Sequence, residues 1–189
     1  MSEKLRLFWA VNLTGELRER IVSFSREMAV PGLKANWVAV ENLHLTLVFL
    51  GDTDPALAGP MVAAVEKNIR GMDPFALSFG NPGFFPAAGS PRVLWLGIRE
   101  GVDKLKLLQR KLQSALITVG FVPESRPFSP HLTLARIKSE SGTEALKVRI
   151  KDMAHRTIEG SMQVGPVELM QSRLRPGGPV YISLAGIAL

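Results

Sequence analysis

Between Leu5 and Asn12 the chain alternates among bulky residues with the two-residue period of a half-buried strand. From Thr14 the period lengthens. Leu17, Ile21, Phe24 and Met28 recur at helical spacing, which predicts a helix capped by Thr14, running to about Ala29 and stopped by Pro31-Gly32. Asn36–Val40 and Leu43–Leu50 read as strands around a Glu41-Asn42 turn, the second closed by Gly51-Asp52. Asp54-Pro55 opens a helix to about Arg70, with Pro60 delaying or kinking its start. Phe75–Phe79 and Arg92–Ile98 are strand-like and flank a Gly/Pro-rich loop, Asn81–Pro91. Leu105, Leu108, Leu112 and Leu116 lie on one face of a helix over Asp103–Val119, and Gly120 stops it. His131–Ile137 is a strand, Thr143–Met153 a basic helix, and Ser161–Leu174 with Val180–Ile187 a closing strand pair.

Strand pairs close in sequence outnumber the helices, which predicts an α+β fold with largely antiparallel sheets rather than a doubly wound parallel one. At 189 residues, 46% of them hydrophobic, the chain can bury one core, and residues 1–189 read as a single domain. There is no cysteine, which excludes a disulfide framework, a thiolate metal site and a cysteine nucleophile, and fits a reducing compartment. No apolar run approaches a membrane span, and Glu3 with Arg6 and Asn12 interrupt any signal-like start, so a cytoplasmic protein is expected. Lys and Arg number 23 against 17 acids, a net charge of +6 that favours polyanionic partners such as nucleic acid.

The candidate chemistry lies in a repeat. Two of the three histidines open the same tetrapeptide, His44-Leu45-Thr46-Leu47 and His131-Leu132-Thr133-Leu134, each after a turn and at the start of an apolar strand. Residues two apart on a strand share a face, so each histidine projects with its threonine while the leucines point away. A single His-x-Thr is ordinarily just a strand end. Its repetition, one copy in each half of the chain, predicts two similar lobes with helices on their outer faces, presenting two imidazoles and two hydroxyls to a central cleft. One imidazole can be neutral while the other is protonated near pH 6.5, an acid–base pair, and the hydroxyls can donate to phosphate oxygens. No P-loop, dinucleotide motif or serine–histidine–acid order competes, so phosphodiester cleavage without a metal or other cofactor fits. A zinc site built from His44, His131 and a distant carboxylate is the other use of such a pair, but His and Thr two apart chelate poorly. His155, with no following threonine, reads as a surface residue.

With these residues in view, the sequence resembles the two-histidine (2H) phosphoesterase superfamily, and within it the LigT-like RNA 2′,3′-cyclic phosphodiesterases, also called 2′-5′ RNA ligases. The resemblance spans nearly the whole chain: Leu5-Arg6-Leu7-Phe8-Trp9-Ala10-Val11; Trp37-Val38 with Glu41-Asn42-Leu43-His44-Leu45-Thr46-Leu47 and Phe49-Leu50-Gly51; Pro91 to Gly97; Pro130-His131-Leu132-Thr133-Leu134-Ala135-Arg136; and Ser172, Leu174, Pro176, Gly178-Pro179 and Tyr181. Ala39-Val40 stands where the family often has prolines; no reactive group is lost.

The resemblance implies hydrolysis of a terminal RNA 2′,3′-cyclic phosphate to a 2′-phosphate. It makes His44 the general acid on the departing O3′, His131 the general base, and Thr46 and Thr133 the phosphate ligands. The residues themselves give the pair without saying which imidazole does which job. A 5′-hydroxyl in place of water would give an ATP-independent 2′-5′ linkage, since the cyclic ester stores the free energy and no Lys-x-Asp-Gly is present. Arg136 is a candidate phosphate clamp, although strict alternation from His131 puts it on the wrong face unless a bulge or the strand end redirects it. Lys147, Arg149, Lys151, Arg156, Arg173 and Arg175 are candidates to guide RNA, and Phe8, Trp37 and Phe84-Phe85 to stack on a base, with solvated surface and core packing as the ordinary readings. A monomer without an obligate protein partner is expected. Two other functions fit the same residues: a 2H enzyme for a small cyclic nucleotide or an ADP-ribose cyclic phosphate, and a non-catalytic RNA-binding module.

Overall fold

The computed structural model describes residues 3–189. Strand β1 (Leu5–Asn12) leads into α1 (Gly15–Glu27), β2 (Ala35–Trp37) and β3 (His44–Thr53). Next come α2 (Ala58–Ile69), β4 (Ala76–Phe85), β5 (Val93–Glu100), α3 (Val102–Ile117) and β6 (His131–Ile137). The chain closes with α4 (Thr143–Asp152), β7 (Met162–Gln163), β8 (Val167–Arg175) and β9 (Gly178–Ile187). Every strand pairing is antiparallel, in two sheets of order β3-β1-β8-β9 and β2-β6-β5-β4-β7. This is the α+β architecture that the strand-rich pattern predicts.

The two sheets repeat one theme. In β1–α1–β3 and again in β5–α3–β6 a strand leads into a helix, and the chain returns as an antiparallel neighbour of that strand carrying His-Leu-Thr-Leu. Apolar faces of all four helices, among them Ile21, Val65, Leu112 and Leu146, join the inner faces of both sheets in one continuous core. Leu45, Leu47, Leu132 and Leu134 belong to it and are essentially buried. Each is worth about 1.5–3 kcal/mol of burial, so a one-residue slip of either strand would expose two leucines and is strongly disfavoured. Core packing thereby fixes which way the histidines and threonines point. Phe8, Ala10 and Met170 form a small second cluster, against which Tyr181 packs.

Several predicted boundaries shift for local reasons. The strand predicted over Asn36–Val40 is only three residues long, because Val40–Asn42 coils into a 3₁₀ turn. Ala39 takes φ −63° there, the angle a proline would impose, so the turn forms without one. Gly51-Asp52 does not close β3: Gly51, at φ +69°, sits in a bulge and the strand runs on to Thr53. The expected Asn81–Pro91 loop is half strand, since a bulge with Asn81 at φ +55° carries β4 through to Phe85. Thr14 occupies the cap position of α1 without a side-chain bond, whereas Asp54 does accept from the Ala56 N–H at 2.9 Å. That cap opens a 3₁₀ turn, Pro55–Leu57, ahead of α2.

Candidate active site on two matched strands

Each motif histidine begins its strand, and the residue two before it fixes its ring. The carbonyl of Asn42 lies 2.7 Å from Nδ1 of His44, and the carbonyl of Ser129 lies 2.7 Å from Nδ1 of His131. A carbonyl only accepts, so Nδ1 of each ring carries the hydrogen and Nε2 is the nitrogen left to take or give a proton. In the first sheet Nε2 of His44 is 3.0 Å from Oγ1 of Thr46, which shares its strand face. Asn42 in turn donates from its side chain to the carbonyl of Pro179 at 2.9 Å, tying the turn before His44 to the β8–β9 hairpin.

Aromatic rings hold both imidazoles. Phe8 and Tyr181 lie 4.9 Å from the His44 ring, the tyrosine edge-on. Phe85 stands edge-on to His131 at 5.0 Å, with Trp95 at 6.5 Å. Gly83 makes room for this second cluster: a Cβ there would land inside the Trp95 indole, within 2.9 Å of Cε2 and nearer still to its outer carbons. Phe8 and Phe85 are thus supports for the two imidazoles, and the expected Phe84-Phe85 loop is a strand end.

Burial pushes the pKa of His44 below the ordinary 6.5; the Asn42 carbonyl opposes this, and the Arg18 guanidinium adds to it. Burial likewise raises the Tyr181 phenol above its ordinary value, with Arg136 and then Arg6 pulling it back. Tyr181 belongs to the first sheet and Arg136 to the second. An arginine from one sheet therefore acts on a ring that touches the histidine of the other, and β3 and β6 themselves approach within 8 Å between Cα atoms.

Arg136 reaches this position through a bulge of the kind that a clamp on the His131 face would need. Between Thr133 and Ala135 the register against β5 skips Leu134, so Leu134 and Ala135 are both buried and Arg136 returns to the exposed face of His131 and Thr133. The same irregularity recurs in β3, where the register against β1 skips Leu47, Leu47 and Val48 are both buried, and Phe49 returns to the face of His44 and Thr46. The shared spacing, His44 to Phe49 and His131 to Arg136, was the available signal for this second pair.

The basic residues proposed as RNA guides are mostly engaged elsewhere. Lys147 pairs with Glu144 at 2.7 Å, Arg149 donates to the Glu27 carbonyl at 2.6 Å, Arg156 pairs with Glu27 at 3.2 Å and Arg173 donates to Gln171 at 3.2 Å. Arg149 and Arg156 thus fasten the α4 region to α1. Trp37 pairs in register with Ala135, on the core side of β6 rather than the Arg136 side, and is part exposed. His155 is exposed, as expected, and borders a cavity of about 670 Å³ beside α1 that none of the motif residues line. Among the described residues no three His, Asp or Glu side chains gather as a metal-binding group.

Comparison with known proteins decides the family. The model of the 2′-5′ RNA ligase superfamily matches residues 17–175. The chain belongs to the 2′-5′ RNA ligase superfamily. It is 34% identical over 181 residues to the RNA 2′,3′-cyclic phosphodiesterase of Methanothermobacter thermautotrophicus, covering 96% of this chain and 97% of that one. The Archaeoglobus fulgidus protein of the same name is 36% identical over 183 residues, at 95% and 98% coverage. Escherichia coli LigT, solved in apo form, superposes with a TM-score of 0.79 at 31% identity, covering 100% and 99% of the two chains. The same protein has also been solved with 3′-AMP. Two antiparallel sheets, each bearing one His-x-Thr strand, are thus the superfamily fold as this chain builds it.

Proposed function

We propose that this superfamily member hydrolyses the 2′,3′-cyclic phosphate at the end of an RNA to a 2′-phosphate, using His44 and His131 as its acid–base pair. The observation that carries the reading is the matched Nδ1-to-carbonyl bond at both histidines, which leaves two Nε2 atoms, one per sheet, for proton transfer. Water attacks phosphorus opposite O3′. The new P–O bond forms as the P–O3′ bond breaks, one Nε2 removes the water proton, and the other delivers a proton to O3′. With the roles that the family resemblance supplies, His131 is the base and His44 the acid. Thr46 and Thr133 donate to the non-bridging oxygens, Thr46 exchanging its contact with His44 for the phosphate, and Arg136 clamps the same oxygens with its planar fork. A 5′-hydroxyl replacing water gives a 2′-5′ linkage by the same proton movements. The reading includes a single domain acting as a monomer in the cytoplasm, without cofactor.

The test uses the purified protein, after chelator treatment, on an oligonucleotide ending in a 2′,3′-cyclic phosphate and on the corresponding cyclic mononucleotide. We expect a 2′-phosphate product, preference for the oligonucleotide, and loss of activity in His44→Ala and in His131→Ala. Activity lost in EDTA and restored by zinc would replace the reading with a metal mechanism. Binding of RNA that survives both histidine changes, with no product from the wild type, would make the protein a binding module.

A further inference from the structure

The outer end of the second sheet carries cations that attack by water does not use. Asn36 pairs in register with Arg136, and one step outward the Lys138 N–H donates to the Lys34 carbonyl at 2.8 Å, so the two lysines stand opposite one another. Alternation fixes their direction. Ala35 and Ile137 turn to the core, so Lys34, Asn36, Arg136 and Lys138 project together on the face of His131 and Thr133, and all four are exposed. Among the described residues no carboxylate pairs with Lys34, Arg136 or Lys138, whereas Lys147 and Arg156 are held by glutamates. Like charges directly opposite on a sheet repel. A lysine on β2, the edge strand, deters pairing with another chain by itself. A second lysine facing it adds only repulsion unless an anion lies between them.

We propose that Lys34 and Lys138 bind a phosphodiester of a second RNA strand, the one whose 5′-hydroxyl replaces water, so that the second sheet carries the acceptor site for 2′-5′ joining. The inference rests on the phosphodiesterase reading and adds a partner strand to it. In-line displacement decides the side. His44 serves O3′ of the leaving ribose on the first sheet, so the nucleophile enters along the second, beside His131. Water needs no anchor there; a strand does. Lys138 lies two residues beyond Arg136 on one face, about 7 Å, comparable with one nucleotide step of an extended strand. Arg136 thus grips the cyclic phosphate while the lysines grip the first phosphodiester downstream of the attacking 5′-hydroxyl. The 5′-oxygen forms its bond to phosphorus as the P–O3′ bond breaks. His131 takes the hydroxyl proton and His44 delivers one to O3′, so the strained ester is the only energy source consumed.

The experiment compares joining with hydrolysis. Wild type, the double variant Lys34→Ala/Lys138→Ala and the charge-keeping Lys34→Arg/Lys138→Arg are each given an oligonucleotide ending in a 2′,3′-cyclic phosphate. The acceptor, at subsaturating concentration, is either a 5′-hydroxyl dinucleotide with one phosphodiester or a nucleoside with none. The alanine variant should lose roughly 5- to 50-fold in joining to the dinucleotide, carried by its KM, together with part of the salt dependence of that step. Joining to the nucleoside and hydrolysis should each change by less than about twofold, and the arginine variant should join as the wild type does. Hydrolysis falling in parallel with joining would overturn the acceptor site and place the lysines on the cyclic-phosphate strand or in the fold. Undiminished joining to the dinucleotide would overturn it as well. So would a wild type that hydrolyses but joins neither acceptor, with the phosphodiesterase reading left standing. A wild type that does not turn over the cyclic phosphate at all would overturn that reading, and the acceptor site with it.

Discussion

Replacing the acid is the sharpest perturbation of the proposed mechanism, because the structure says which atom is lost and which substrate should not need it. Nδ1 of His44 is held by the Asn42 carbonyl at 2.7 Å, so only Nε2 can deliver a proton to O3′. Deleting one positioned proton donor costs about 10²- to 10⁴-fold, or about 3–5 kcal/mol of barrier. That loss arises because an alkoxide is a poor leaving group. A substrate with sulfur in place of O3′ expels a thiolate, whose conjugate acid has a pKa near ~8.5, and needs no donor. His44→Ala should therefore fall by the full factor on the oxygen substrate and by less than about tenfold on the sulfur substrate. His131→Ala, which lacks the base, should fail on both.

Product formation followed by chromatography with both substrates gives the four ratios needed. The His44 ring also packs against Phe8 and Tyr181, so His44→Gln, which keeps more of that bulk, must show the same selective rescue if proton donation rather than packing is at issue. Rescue of His131→Ala instead would exchange the two roles. Equal loss on both substrates for both variants would refute assigned proton donation altogether.

Three further outcomes follow from particular contacts. Gly83→Ala drives a methyl group into the Trp95 ring that lies beside His131, so it should lower stability by about 1–3 kcal/mol in denaturant melts and reduce kcat together with it; a variant with wild-type stability would contradict the packing. Arg136→Ala should raise KM by about 10- to 100-fold through the loss of charge-assisted bonds to phosphate, and Arg136→Lys should recover only part because it lacks the planar fork; full recovery by lysine would reduce the residue to a point charge. His44 has a folded-state pKa below its unfolded 6.5, so between those two values the unfolded chain binds more protons than the folded one. The stability this contributes is present above pH 6.5 and lost as pH falls through the lowered value, and His44→Gln should flatten that part of a stability-against-pH curve.

The same lowering bears on catalysis. In the free protein His44 favours the neutral imidazole, whereas an acid must arrive protonated. The negative charge of the cyclic phosphate works in the opposite direction to burial and Arg18, so substrate binding itself helps to load the proton. If His44 is the acid, kcat/KM should decline on the alkaline side at a pH below 6.5, and kcat at a higher one, because only the latter reports the occupied site. A kcat/KM that instead rises through the lowered value would assign His44 as the base.

How much of this was legible beforehand depended on the range over which each signal acts. The limits of β1 and β6 and the apolar face of α3 follow from local periodicity, and the structure places them where that periodicity does. Extending β3 past Gly51 and β4 past Asn81 required bulges, and a bulge depends on a partner strand that no local window contains. The engagement of Arg149 and Arg156 by Glu27 joins residues more than a hundred positions apart, so a basic run that looked free was not. The histidine pair was legible because it is repeated. What the repeat concealed is its asymmetry: both strands skip one leucine, Leu47 and Leu134, and the residue each skip turns outward is aromatic on one side and cationic on the other. A duplicated strand that keeps its histidine and threonine while exchanging that one position gives the two sheets unlike faces beside the same motif, which a strictly symmetric pair of lobes could not have.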